Sequence, residues 1–578
     1  MMTPLRGVWL AGLCLAASAL QAADTPRNAV GDRLAYLDET DPFYVGLDFP
    51  KLTTPQWVGE PGVDAVVILA IDDMRDPARY ETVLRPILER LKQIDGRAPV
   101  SIMTCTNAPQ DARLQGWLKE GLSLEVHTLT HPCPLLGKSN FVAAADVYNR
   151  CVELMNRVPG NRPVAFRMPC CDSMDSPSPR FYAEIFNGTN GLGQFLTLDS
   201  SVMNITTAED PGLPRELTVE ADGKAKFLKY LPFPAFVTTI ENYPYPYVIG
   251  KRCWEFPPMV PSDWEARNIE GTNSPVLLAD WKADLDAAVL KQGTFTMIFH
   301  PYGWSSPAQL VALIDYAVGK YGNRVKFLTF REAAERLNQN LLAGQPLRAA
   351  NGQDNGVRLV DVNHDGYLDV VVGNEHVRKT RVWNPQARAW AETEFPAPLV
   401  TVAADGTRRE TGVRFGVLSA DGAATALVRN ETMAGAWRFT GDRWTAEPAL
   451  LTGLELEGQP VLTSQGGCDR GVRLRDVNHD GLSELIVGNA KQNAVFAWLP
   501  DARIWKQLPY GLPAGTMIVD ANGRDAGLRF VDLNEDGFDD IVFSNDRSYS
   551  IHLFVAERFL GFPMGWSREV LTGKRGSF

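Results

Sequence analysis

Two textures of apolar and polar positions divide the chain. From about residue 60 to 340, short apolar runs alternate with stretches whose apolar residues recur every three to four positions, the periods of strands and of one-faced helices respectively. Val63 to Ile71 reads as a strand, Pro77 to Lys92 as a helix, Pro99 to Cys105 as a strand, Leu114 to Glu120 as a helix, and Leu122 to Val126 as a strand. The stripe Phe141, Ala144, Tyr148, Cys151, Met155, Val158 predicts a helix that buries Cys151 as a free thiol. Ala308 to Val318, Val325 to Leu328 and Arg331 to Asn340 predict helix, strand and closing helix. Such β/α alternation builds a parallel sheet or barrel with helices outside. The stretch between Asp199 and His300 reads as a long aromatic-rich insertion, with Tyr243, Tyr245, Tyr247, Trp254 and Trp264 placed for sugar stacking or for loop packing.

Beyond about residue 344 the period changes to repeats. The segment Val357 to Asp369 recurs as Val472 to Glu484 and as Leu528 to Asp540, with a degenerate copy at Val413 to Thr425. Starts at 357, 413, 472 and 528 give periods of 56, 59 and 56 residues, the size of one β-propeller blade or a similar antiparallel unit. Each intact copy carries a D-x-N-x-D-G turn, which gathers oxygen donors on alternate residues and closes with an acid at the ninth position. Three calcium cages are expected: Asp361, Asn363, Asp365 and Asp369; Asp476, Asn478, Asp480 and Glu484; Asp532, Asn534, Asp536 and Asp540. In the fourth copy Val417, Ser419, Asp421 and Thr425 hold those positions, and no ion is expected there. The copies resemble the FG-GAP/VCBS repeats of extracellular proteins.

Candidate chemistry sits at predicted strand ends. Three of the seven histidines precede residue 350; two of these form the cluster His127-Thr128-Leu129-Thr130-His131, and an Asp72-Asp73 pair closes the first apolar run. Two imidazoles and one carboxylate make a common ligand set for catalytic zinc, with one position left for water. His300 follows the apolar run Phe295 to Phe299, so it too leaves a strand end.

In their order these residues resemble the polysaccharide deacetylases that share the NodB homology domain. Ala70-Ile71-Asp72-Asp73 is similar to the family's Thr-Phe-Asp-Asp motif, and His127 to His131 meets its His-Ser/Thr-x-x-His motif in full. Arg167-Met168-Pro169-Cys170, Asp199-Ser200 and Ile298-Phe299-His300 resemble the remaining three. The resemblance spans roughly residues 60 to 340. It implies a distorted β/α barrel in which Asp73, His127 and His131 bind one divalent transition metal, zinc foremost, while Asp72 is the general base and His300 the general acid. It also implies that Arg167 holds Asp72 ionised, that Asp199 orients His300, and that the Cys170 N–H helps to bind the oxyanion. Cys170 stands where the family has an aromatic residue and Cys171 follows it, so any substrate-stacking role of that aromatic is lost while the backbone N–H is kept. A disulfide from Cys133 to Cys170 or Cys171 is expected to brace the site.

Composition narrows the partners. The 578 residues are 45% hydrophobic and 22% charged, globular material for two or more domains. A net charge of −12 without a basic run argues against nucleic acid or anionic membrane as partners. Arg6, the apolar stretch Val8 to Ala17 and the small residues up to Ala22 read as a bacterial signal peptide, and no later segment is apolar for long enough to span a membrane. The expected organisation is a leader over 1–22, a catalytic α/β domain over 23–343 and an all-β domain of propeller-like blades over 344–578. The expected activity is release of N-acetyl or O-acetyl groups from an exported polysaccharide substrate, with cell-surface or glycan contact through the repeats. The alternatives are an O-acetyl esterase and a non-catalytic carbohydrate-binding or adhesion protein.

Overall fold

The computed structural model describes residues 52–137, 140–170, 178–231, 239–534, 536–557 and 563–575. The expected leader and Cys171 lie outside these residues. Strand β1 (Ala65–Met74) is the spine of the α/β part. It is followed by helix α1 (Pro77–Asp95), β2 (Val100–Thr104), α2 (Ala112–Glu120), β3 (Ser123–Val126), α3 (Phe141–Arg157), β4 (Ala165–Phe166) and β5 (Leu198–Asp199). The boundaries follow local chemistry. Asp76 caps α1 by accepting from the Ala78 N–H, Pro77 fills the first turn, and Gly96 ends the helix at φ 69°.

Strands β1 to β5 pair in sequence order, all parallel, and Thr294–Phe299 lies on the other side of β1, paired from Val66–Thr294 to Ile71–Phe299. Beyond β5 the sheet continues through Cys253–Glu255, and Pro258 bridges back to Thr296, so the sheet curls round toward its first edge. This parallel register brings the ends of β1, β3, β4, β5 and Thr294–Phe299 to one rim. The long insertion is more ordered than its aromatic pattern suggests. It contains helix Pro275–Leu290, which shows no apolar stripe because Asp280, Asp284 and Asp286 are buried together with Leu277 and Leu285. These acids are partnered: Tyr230 donates to Asp280, Thr206 to Asp284 and Tyr321 to Asp286, each at 2.6 Å. Tyr243, Tyr245 and Tyr247 are buried against the sheet, which favours loop packing over sugar stacking.

The C-terminal part is all β. Four antiparallel four-stranded sheets follow one another, starting at Val357, Arg414, Val472 and Leu528, in register with the sequence repeat. Consecutive sheets share cores: Val371 of the first with Ala426 of the second, Leu427 with Val487 of the third, and Ile486 with Phe543 of the fourth. The other face of the first sheet, through Leu359, Val370 and Val372, joins the core of the α/β part. Arg348 fastens that junction. Its buried guanidinium donates to the carbonyls of Phe186 (2.9 Å), Leu196 (3.0 Å), Asn187 (3.3 Å), Gly188 (2.5 Å) and Gly352 (2.9 Å).

Candidate metal centre and its surroundings

Adjacent side chains of a regular strand point to opposite faces of the sheet, so Asp72 and Asp73 need a special backbone to serve one site. β1 supplies it. Its register with β2 slips between Ile71 and Met74, and Asp73 takes φ 70°, a bulge that turns both carboxylates toward the same histidine. His127 Nε2 lies 3.4 Å from Asp73 Oδ1 and 4.0 Å from Asp72 Oδ2, and His131 Nε2 lies 2.8 Å from Asp73 Oδ1. The turn between the histidines is equally unusual, with Thr128 at φ 62° and His131 at φ 58°. A β-branched residue in the left-handed region is strained, and such strain collects at functional sites. The Thr128 hydroxyl offsets part of it by accepting from the His131 N–H at 3.1 Å.

The donor set fits a divalent transition metal. His127 Nδ1 is 2.8 Å from the Arg167 carbonyl, so it carries the proton and leaves the Nε2 lone pair on the Asp73 side. Donor atoms of Asp73, His127 and His131 all lie within 4.8 Å of one another. The buried Asp73 Oδ1 faces both rings at contact distance without an aligned hydrogen bond, as donors to a shared cation do. Burial raises the Asp73 carboxyl, and the two imidazoles override that effect and hold it well below the usual carboxylate range.

Asp72 has different partners. The fully buried Arg167 places Nη1 2.7 Å from Asp72 Oδ1, and its remaining nitrogens donate at 2.9 Å to the Ser200 carbonyl and to Ser200 Oγ. His300 stands at the end of Thr294–Phe299, and both its Nδ1 (2.7 Å) and its backbone N–H (2.9 Å) meet Asp263. Burial pulls the His300 imidazole down, and the Asp263 carboxylate outweighs it, carrying the group up to about 9. Cys170 has φ 54° and is bonded to Cys133, which ties the loop after β4 to the loop after His131. Cys151 is a buried free thiol.

The expectation that Asp199 orients His300 is corrected by these contacts. Asp199 accepts from Tyr182 and, at 2.7 Å, from Ser201, one layer beneath the site. Burial raises both Asp199 and its neighbour Glu255, and the nearby Asp199 carboxylate raises Glu255 further. Glu255 accepts from the N–H groups of Ser201 and Val202, both at 3.0 Å, and Ser201 Oγ accepts from Met168 N–H at 2.8 Å. The pair thus shapes the turn that receives Arg167. Asp263, which residue patterns missed, has one local signal: it directly follows Ser262, whose capping box with Glu265 opens helix Asp263–Glu270. Tyr302 and Trp304, past His300, were also missed.

In the repeats, each intact acidic turn closes on itself. The leading acids Asp361, Asp476 and Asp532 accept N–H groups of their own turns, among them Gly366 (2.9 Å), Gly481 (2.9 Å) and Gly537 (2.8 Å). Asn363, Asn478 and Asn534 lean on Asp365, Asp480 and Asp536 at 3.1, 3.2 and 2.9 Å. The ninth-position acids spend oxygens on the framework: Asp369 accepts from Val362 and Trp383, Asp540 from Leu533 and Phe554, and Glu484 from Val477. Burial and neighbouring carboxylates push Asp476 up to about 6 and Asp540 up to about 7. In the degenerate copy the Arg438 guanidinium lies 3.6 Å from Asp421, a cationic side chain beside the acid that remains. Gly422 in that turn has φ 74°, and a Cβ there would lie 2.1 Å from His364 Nδ1, so successive turns are in contact along one end of the stack.

No family model and no curated protein matches the sequence. Among solved structures, the chain is similar to a Mycobacterium smegmatis protein provisionally described as a polysaccharide deacetylase, at 16% identity over 50% of this chain and 95% of that one, with a TM-score of 0.33. It is similar to the peptidoglycan deacetylase PdaC of Bacillus subtilis, at 16% identity over 47% and 92% of the two chains, with a TM-score of 0.27. It is also similar to a family 4 carbohydrate esterase of Streptomyces lividans in complex with acetate, at 10% identity over 46% and 92%, with a TM-score of 0.25.

Proposed function

We propose that the chain is an exported, metal-dependent deacetylase of an acetylated carbohydrate. The observation that carries this reading is the convergence of Asp73, His127 and His131 donor atoms within 4.8 Å, with a second carboxylate, Asp72, held apart by Arg167 and a histidine, His300, backed by Asp263. Such a centre has a ligand set, a base and an acid in separate hands. A zinc ion held there supplies Lewis acidity, polarising the acetyl carbonyl and acidifying water.

The chain's own residues supply the remaining chemistry. Asp72 takes the proton of the attacking water through its Oδ2, because Oδ1 is committed to Arg167. Negative charge then develops on the acetyl oxygen, toward which the Cys170 N–H donates from a loop pinned by the disulfide. His300 keeps Nδ1 on Asp263 and delivers its Nε2 proton to the leaving amine or alkoxide. Arg167 and Asp263 touch other side chains and are positioning residues; Asp199 and Glu255 act one layer further out. We read the acidic turns as calcium sites that stiffen the all-β part, with the four sheets as blades of a propeller-like array.

Acetate release is the test. Metal-replete protein is incubated with chitin oligosaccharides, peptidoglycan fragments and O-acetylated xylan, and free acetate is measured. Release from at least one substrate, lost on chelation, is expected. Metal-loaded, folded protein that frees no acetate from any of them would overturn the reading, and release from the xylan alone would assign it as an O-acetyl esterase.

A further inference from the structure

Beyond the metal and acid-base groups, the loop after His300 raises two aromatic rings at the mouth of the site. Tyr302 is stacked beside His300, with centroids 6.1 Å apart and planes 22° apart, and its hydroxyl donates to Asp73 Oδ2 at 3.0 Å. The Trp304 ring lies 4.8 Å from His300 and 5.0 Å from Tyr302. Each ring carries an arginine. The Arg79 guanidinium lies 4.7 Å from the Tyr302 centroid and that of Arg267 5.6 Å from Trp304. Arg79 comes from the first turn of α1, and Arg267 from helix Asp263–Glu270, whose first residue holds His300.

Both guanidinium groups are exposed, and among the described residues neither has a counter-charge. Arg79 donates to the Pro301 carbonyl and Arg267 to the Asn268 side chain, each at 3.3 Å; among the described residues neither forms an ion pair with a carboxylate. Other arginines of α1 do: Arg85 meets Glu120 at 2.7 Å and Arg90 meets Asp315 at 2.5 Å. Arg75, exposed two residues after Asp73, adds a third cation whose field reaches Tyr302. A chain of net charge −12 has anionic side chains to spare, so Arg79 and Arg267, which form no ion pair among the described residues, are not a by-product of overall basicity.

We propose that this mouth selects acetylated glycans that carry carboxylates, an inference that rests on the deacetylase reading of the site. A sugar ring packs on Tyr302 and Trp304 while a carboxylate on it or on its neighbour takes the fork of Arg79 or Arg267, a geometry that ammonium groups do not reproduce. Rim cations act mainly through encounter and salt-sensitive attraction, so the effect falls with ionic strength.

The test uses matched polymers: O-acetylated galacturonan and hyaluronan oligosaccharides, each as free acid and as methyl ester, with 4-nitrophenyl acetate as a small neutral reporter. At low salt, kcat/KM for the free acid is expected to exceed that for the ester at least tenfold, with the ratio shrinking in 0.5 M NaCl. In the Arg79→Gln, Arg267→Gln double variant the ratio is expected to fall toward one, and Arg79→Lys, Arg267→Lys should keep part of it. Equal or better use of the ester, while 4-nitrophenyl acetate or a neutral glycan is hydrolysed, overturns the inference and leaves the deacetylase reading standing. No release from any polymer or from the reporter overturns both.

Discussion

Asp72 and Asp73 are sequence neighbours with opposite surroundings, one held by a guanidinium and the other by two imidazoles. If those surroundings set their roles, Asp72→Asn removes the base and keeps the ligands, so turnover should fall by about 10²–10⁴-fold with metal content unchanged. Asp73→Ala should lose both, measured by elemental analysis beside acetate release. Equal metal loss in the two variants contradicts the assignment. Asp263 gives a second handle. A histidine raised to about 9 is protonated, and able to act as an acid, up to that pH, and its folded-state protonation stabilises below about 6.5 and is lost as pH rises through 9. Asp263→Asn removes the carboxylate responsible, so the basic limb of the pH–rate profile should move to lower pH; a bound cation nearby lowers both limbs without reversing their order. An unmoved limb would separate His300 from the acid step. At this scale the pattern of aspartates and histidines singled out Asp73, His127 and His131, which the structure brings together, and His300 at its strand end, because chain-adjacent motifs carry them. Asp263 escaped because its contact with His300 spans 37 residues and depends on how one helix meets one strand end.

The strands and helices that present the site were legible from apolar runs wherever one face is buried, as in α1 and α3. Helix Pro275–Leu290 was not, because most of its positions are buried and its acids are hidden by long-range hydroxyl partners, leaving no stripe to read. The bulge in β1 was equally invisible, since nothing in Ile-Asp-Asp-Met distinguishes a regular strand end from one that slips by a residue. Arg348 looked like any arginine in a connecting segment, yet it serves four carbonyls around the loop before β5 and a fifth at Gly352. Arg348→Ala leaves those buried acceptors without a donor and should destabilise the protein by about 3 kcal/mol or more, at roughly 1–3 kcal/mol for each group left unpaired. Urea unfolding measures it; a change below about 1 kcal/mol would show that water replaces the guanidinium at little cost.

Across the whole molecule, the first β sheet shares its core with the α/β part, while the second to fourth sheets pack on one another. The acidic turns should therefore govern the stability of the distal sheets first. Without calcium, carboxyls such as Asp476 and Asp540 bind protons more tightly in the folded state than unfolded, so their contribution is present below about pH 4 and is lost as pH rises through about 6 to 7. Calcium in excess should remove that dependence and raise the melting temperature of the β part, by about 2.7 kcal/mol of stability at one hundred times Kd. Scanning calorimetry from pH 4 to 8, with calcium and with chelator, checks this; identical scans would make the turns ordinary hydrogen-bonded loops. The central claim concerns the other end of the molecule, and zinc titration of dialysed protein tests it most directly, with acetate release followed at each addition. Activity should rise from near zero to a plateau at one zinc per chain and be absent in His127→Ala, whereas acetate release that is independent of added zinc, or metal uptake without release from any acetylated glycan, would contradict the account.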